Sequence, residues 1–404
     1  MTKSEFILSL SEALALIPRS ERVRVLEYYE EMIDDRIESG MSEEEAVAAL
    51  GSIDEILKEA APEAVHECTN YSESVSSCAK FIVLHDPIET LVANSACAEL
   101  HVRSEPLPDG VTARVDYNLS DNEQCACSLS DGRLKVLYKQ VKQRSFSFRS
   151  LISSADASIT ITLSNPALVR GEISASSGSV DLSQLVFTDS LDAHTASGDL
   201  DARDIAVQCK CKLQTASGDI TGHNLTCGEL LEVHTASGDM ETDSVRAGKI
   251  DAATASGDLK ISEVEADKMH AHSASGDIEI HGCKSQLLQV QTASGDLSIL
   301  NAECSELIDL HSSNGDISLR DASCSGSIQL SSTNGDIKGT LSPAGAYTYS
   351  ASARLGDVKI PNSNGSHPVH IQSITGDIIF REESWDMDST NHGTRHHRPH
   401  RNQQ

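Results

Sequence analysis

HTASGDL at residues 194–200 returns as QTASGDI at 214–220 and as HTASGDM at 234–240. The series continues as ATASGDL (253–259), HSASGDI (272–278), QTASGDL (291–297), HSSNGDI (311–317) and SSTNGDI (331–337). Two shortened copies close it, RLGDV (354–358) and ITGDI (374–378). The Gly-Asp steps are Gly198-Asp199, Gly218-Asp219, Gly238-Asp239, Gly257-Asp258, Gly276-Asp277, Gly295-Asp296, Gly315-Asp316, Gly335-Asp336, Gly356-Asp357 and Gly376-Asp377. Successive glycines lie 20, 20, 19, 19, 19, 20, 20, 21 and 20 residues apart. A degenerate copy, Ser176-Ser177-Gly178-Ser179-Val180, stands one period upstream. A fixed period of this length marks a stacked, quasi-one-dimensional array.

Two residues after each glycine the position is aliphatic or Met, as at Leu200, Ile220, Met240 and Leu259. Five and seven residues before it the positions are mostly apolar, as at Leu231/Val233 and Leu288/Val290. This is strand alternation on both sides of a turn. The turn itself is Ser-Gly-Asp or Asn-Gly-Asp: Gly tolerates positive φ, and Asp or Asn bonds nearby backbone amides. One such unit cannot bury its apolar face alone, but stacked copies can. The fold expected is mainly β, a single-stranded β-helix-like solenoid of about ten rungs of 19–21 residues, roughly 50 Å long. A small all-α bundle precedes it. Thr195, Thr215, Thr235, Thr254, Ser273, Thr292 and Ser312 form a hydroxyl column. Tight corners of small residues account for an aromatic content of only 3%.

The recurring Asp has two readings. A carboxylate ladder would attract Ca²⁺ or a cationic polymer. A cap would bond the amides of its own turn, and this is the reading we adopt. His194, His234, His272 and His311 recur only in alternate rungs, ~9–10 Å apart. That is too far to share a metal, so they read as an outward polar ladder. Eleven cysteines, an odd number at irregular spacing, read as reduced thiols. The pairs Cys125/Cys127 and Cys209/Cys211 read as small core residues.

Of 404 residues, 32 are Lys or Arg and 61 are Asp or Glu, a formal charge of −29. That balance argues against direct nucleic-acid contact or anionic lipid. No stretch approaches the ~20 apolar residues of a membrane span. The opening MTKSEFILSLSEALALIPRSER reads as an amphipathic helix and not as a signal peptide. A cytoplasmic location follows as an expectation.

Residues 1–66 have a different grammar. Phe6, Leu10, Leu14 and Ile17 share one helical face, Pro18 opens a second helix and Gly40 ends it. Ser42-x-x-Glu45 and Ser52-x-x-Glu55 are capping boxes. The organisation expected is a helical bundle over 1–66, a linker over 67–80 and an irregular β lead-in over 81–170. The repeat solenoid follows over 171–380, then a His/Arg-rich, unstructured tail over 381–404. Arg144 to Arg149 reads as a basic surface hairpin.

Two family resemblances carry expectations. The string Tyr28-Tyr29-Glu30-Glu31, Asp34-Asp35, Gly40, Glu43-Glu44-Glu45-Ala46 and Leu50-Gly51 resembles the HAAS-type alpha-helical signalling domain. That resemblance implies protein–protein signalling, with a PadR-like transcription regulator as partner. Residues 80–380 resemble the bacterial "putative adhesin" β-strand-repeat family, whose units read T-x-S/N-G-D-I/L/V. That resemblance implies a β-solenoid without enzymatic activity.

No G-x-S-x-G, H-E-x-x-H, P-loop or dinucleotide fingerprint is present. We therefore expect no catalytic residues, no cofactor and no bound metal. The function expected is a regulatory interaction scaffold, with Tyr28, Tyr29, Glu30, Glu31, Asp34 and Asp35 as the partner-binding cluster. The alternative is a structural or adhesin-like rod that self-associates. A polysaccharide-acting β-helix enzyme is the remote one.

Overall fold

The computed structural model describes residues 80–119, 123–140 and 157–382, with Lys3, Phe6, Ile33, Met41 and Val47 of the N-terminal segment. Phe6, Ile33 and Val47 are helical and buried. The helical bundle as a unit, the 67–79 linker, the 144–149 hairpin and the 383–404 tail lie outside the described residues.

Twenty-three strands form one hydrogen-bonded sheet, wound into about 11 turns. The lead-in holds β1 (Lys80–Leu84), β2 (Thr90–Ser95), β3 (Glu99–Ser104), β4 (Ala113–Asn118), β5 (Glu123–Ser130), β6 (Arg133–Gln140), β7 (Ser158–Leu163) and β8 (Ala167–Ala175). The repeats follow as β9 (Val180–Thr195), β10 (Leu200–Val207), β11 (Lys210–Thr215), β12 (Ile220–Thr235), β13 (Met240–Thr254), β14 (Leu259–Ser275), β15 (Ile278–Ser294) and β16 (Leu297–Asn314). The last turns comprise β17 (Ile317–Cys324), β18 (Ser327–Asn334), β19 (Ile337–Leu341), β20 (Tyr347–Ala353), β21 (Val358–Lys359), β22 (His367–Ser373) and β23 (Ile378–Glu382).

Through the repeats every strand pairs in parallel with its own copy one period away. Leu200 faces Ile220, Ile220 faces Met240, Met240 faces Leu259 and Leu259 faces Ile278. Like residues therefore stack on like, and the aliphatic columns become one continuous core. Apolar burial drives this, since each rung offers only half a core.

Each rung has three straight runs. In β12 the buried positions are Ile220, Gly222, Leu225, Cys227, Leu231, Val233 and Thr235. Alternation breaks at His223-Asn224 and again at Gly228–Leu230, so two corners interrupt the strand. The third corner is the Ser-Gly-Asp turn. At the first corner the backbone is left-handed in rung after rung: Gln184, Asp204, Asn224, Ser244, Glu263, Asn301 and Asp321 have φ between 50° and 59°, and Gly282 has 70°. Each stands six residues after its turn glycine.

The N-terminal end is closed by antiparallel strands. β1 pairs with β4, β4 with β7, and β5 with β6, all antiparallel.

The C-terminal end departs from simple winding. The repeats predict that the 354–358 turn follows the 331–337 turn. Instead β22 and β23 pair with β18 and β19, and β20 and β21 lie outside them. Burial gives the reason. Val369, Ile371, Ile378 and Phe380 are all buried in the inner position. Phe380 lies over Gly339, where any Cβ would stand 2.5 Å from its ring. The outer turn buries less: Tyr347 is covered, while Val358 and Leu355 are exposed.

Candidate functional site

The turn edge is built from three stacked groups. Each threonine or serine hydroxyl is buried and spans two rungs. Thr235 Oγ1 donates to Gly218 O at 3.0 Å and accepts from Gly238 N at 3.1 Å. Thr215 does the same with Gly198 O and Gly218 N. The glycines stack tightly: a Cβ on Gly257 would lie 1.9 Å from Gly238 O. None of the ten turn glycines has positive φ. The expected reason for glycine, a left-handed turn, is thus corrected: the requirement is close approach between rungs.

The aspartates are also re-read. Asp199 Oδ1 accepts from Asp219 N at 3.0 Å, Asp219 Oδ1 from Asp239 N at 2.8 Å, and Asp239 Oδ1 from Asp258 N at 2.9 Å. The chain continues through Asp277, Asp296, Asp316 and Asp336. Each carboxylate caps the amide of the next turn, not its own. The last two links follow the inverted order, Asp336 to Asp377 N and Asp377 to Asp357 N. Lys338 bonds the second oxygen of Asp336 at 2.8 Å, and this bond, with the capped amide, holds that carboxyl below its usual range.

Other expected groups are dispersed. His194 and His272 are exposed, His234 and His311 half-buried, all pointing away from the core. His311 Nδ1 lies 2.8 Å from Ser331 Oγ. Cys211 is buried in the core while Cys209 sits half-buried at the second corner. The nine described cysteines form no disulfide. Burial pushes the Cys283 thiol up to about 11 and the Cys304 and Cys125 thiols up to about 12. Such thiols stay protonated and serve as packing. Burial also raises the Asp201 carboxyl, against the pull of Arg203. Among the described residues no three His, Cys, Asp or Glu side chains are placed to hold a metal. Tyr28, Tyr29, Glu30, Glu31, Asp34 and Asp35 lie outside the described residues.

One surface escapes sequence reasoning. The middle run of each rung has a single outward residue, and four in succession alternate in sign: Arg246, Glu265, Lys284 and Glu303, paired rung to rung. Arg246 Nε donates to Glu265 Oε2 at 3.2 Å, and Lys284 Nζ lies 3.6 Å from Glu303 Oε2. The three 19-residue rungs lack one residue at the adjoining corner, where the register shifts between Cys227 and Leu230 and returns between Ser285 and Leu287. An open depression of about 470 Å³ lies at this corner, lined by Gly228 and Gly248 together with Arg246, Glu265 and Lys284 of the charged column. The drop from 20 to 19 residues is its visible signal.

These features define a class: a parallel β-solenoid, three runs per rung, with polar ladders on an aliphatic core. The chain belongs to the Toastrack DUF4097 family, whose profile matches residues 109–263 and 228–381. Residues 5–59 match the HAAS family. Curated proteins yield no match. Among solved structures, a putative adhesin from Bacteroides fragilis is 13% identical, covering 76% of this chain and 98% of its own, with a TM-score of 0.28. A putative adhesin from Parabacteroides distasonis is 11% identical, covering 74% and 95%, with a TM-score of 0.32. A putative lipid binding protein from the same species is 11% identical, covering 76% and 98%, with a TM-score of 0.25. No described helix is long and apolar enough to cross a membrane.

Proposed function

We propose that the chain is a non-enzymatic interaction scaffold of the cytoplasm. Its HAAS segment docks a protein partner, a PadR-like transcription regulator being the partner that the HAAS resemblance favours. The solenoid is the rigid platform that presents a second surface. One observation carries the platform reading: along the column beside the turns the parallel pairing is unbroken from Leu200 to Ile337. A register held over so many rungs fixes the spacing of the outward side chains along it. Surfaces of that kind recognise by complementarity, with little reorganisation on binding.

Tyr28, Tyr29, Glu30, Glu31, Asp34 and Asp35 would form the docking cluster. Aromatic residues supply contact area there, and carboxylates complement a basic surface. The test is affinity capture from native cytosol with the full chain and with a Tyr28→Ala/Tyr29→Ala/Asp34→Lys variant. The wild type is expected to retain a DNA-binding regulator, and the variant to lose it at unchanged thermal stability. Equal capture by both would remove the cluster. Capture of no regulator by the wild type would remove the signalling reading.

A further inference from the structure

The charged column on the middle run is antisymmetric about its own midpoint. Six consecutive levels read Thr226, Arg246, Glu265, Lys284, Glu303 and Ser323, in direct register. Their charges run neutral, plus, minus, plus, minus, neutral. Reversing that order inverts every sign. We propose that this run is the face through which two copies of the chain pair side by side and antiparallel. The two-fold axis would pass between the levels of Glu265 and Lys284.

Under that axis Arg246 meets Glu303 of the second copy, Glu265 meets Lys284, and the reciprocal pairs follow from symmetry. The flanking columns agree. The axis sets Glu263 opposite Gly282 and Asp267 opposite Gln286, so no like charges face each other. Asp267 already accepts from Gln286 within the chain, at 2.9 Å. A parallel two-fold pairing would instead set each charge against itself, which is strongly unfavourable.

The spacing selects the partner. Levels repeat every ~4.8 Å, whereas an extended peptide shows same-side residues every ~6.6 Å and falls out of step at once. Another stack of parallel strands keeps step, and a self-complementary stack needs no partner but itself. The side chains are accessible: Arg246 and Glu265 are 72% and 69% exposed, Lys284 and Glu303 69% and 65%. The inference does not rest on the HAAS segment docking a regulator.

The competing account is that the column is only an intrachain ion-pair ladder, and a charge swap separates the two. Arg246→Glu sets two acids opposite each other between copies. Adding Glu303→Arg restores every interchain pair. Within each chain that double variant leaves two like-charged neighbours, acids at levels 246 and 265 and bases at levels 284 and 303. Sedimentation of the full chain at about 50 mM and about 500 mM salt is the measurement. We expect a dimer that weakens with salt, loses at least about tenfold in affinity in the single variant and recovers to within about threefold in the double. Arg246→Gln, a milder change, is expected between wild type and the single variant. A wild type monomeric at low salt, a dimer indifferent to Arg246→Glu, or a double variant no better than the single would each overturn the proposal.

Discussion

The buried hydroxyl of Thr235 satisfies two backbone groups that water cannot reach. It holds the amide of its own turn and the carbonyl of the turn before. A valine there keeps the shape and strands both partners. Thr235→Val is expected to lose about 1–3 kcal/mol of stability, and Thr235→Ser well under half of that, read from urea midpoints. Ser273 and Ser312 already occupy the column with the same bond, at 3.3 and 3.1 Å. The aspartate beside it shows how one oxygen can stabilise a stack of like charges. The amide proton bound by each carboxylate draws negative charge inward, where a bare ladder would only repel.

At the scale of the strand, the left-handed corner decides how a 16-residue element such as β12 can wrap a core. Gln184 is exposed there, with φ 56°. A β-branched residue is badly placed in that region, while glycine enters it freely. Gln184→Val should therefore destabilise by about 1–2 kcal/mol and Gln184→Gly by less than about 0.5, measured by thermal unfolding. This corner also marks the limit of what the sequence discloses. The turn is legible because its Gly-Asp step recurs unchanged: nothing larger than glycine fits over Gly238, and a short aspartate side chain reaches the next amide. Gln, Asp, Asn, Ser, Glu and Gly all serve at the corner, so no single letter marks it. The inverted C-terminal turns are illegible for the opposite reason. LGDV at 355–358 and TGDI at 375–378 carry the same local signal, and only the burial of Phe380 against Gly339 ranks them.

For the molecule as a whole, stability is a sum over neighbouring rungs. Removing one whole rung, residues 200–219, brings Asp199 to Ile220 and lets Val180 pair with Ile220 as it now pairs with Leu200. That deletion is expected to leave a folded protein with a modestly lower urea midpoint. Removing residues 200–209 alone would break the register of three runs, and circular dichroism should then show loss of strand. The charged column crosses four rungs, so it exists only in the assembled stack. No single repeat contains it, which is why a reading by motif passes over it.

The ribosome delivers this chain from its N-terminus, and the repeat rungs from Val180 as far as Leu341 can be laid down in order of arrival. The outermost turn cannot. β20 is made before β22, the strand it must rest on. A nascent chain halted before His367 therefore carries an open edge at Ser327–Leu341 and a strand whose final neighbour has not been made. The end closes only when the last-made strands slide beneath an earlier one, so the seal on the rod is also a mark that translation has passed Glu382.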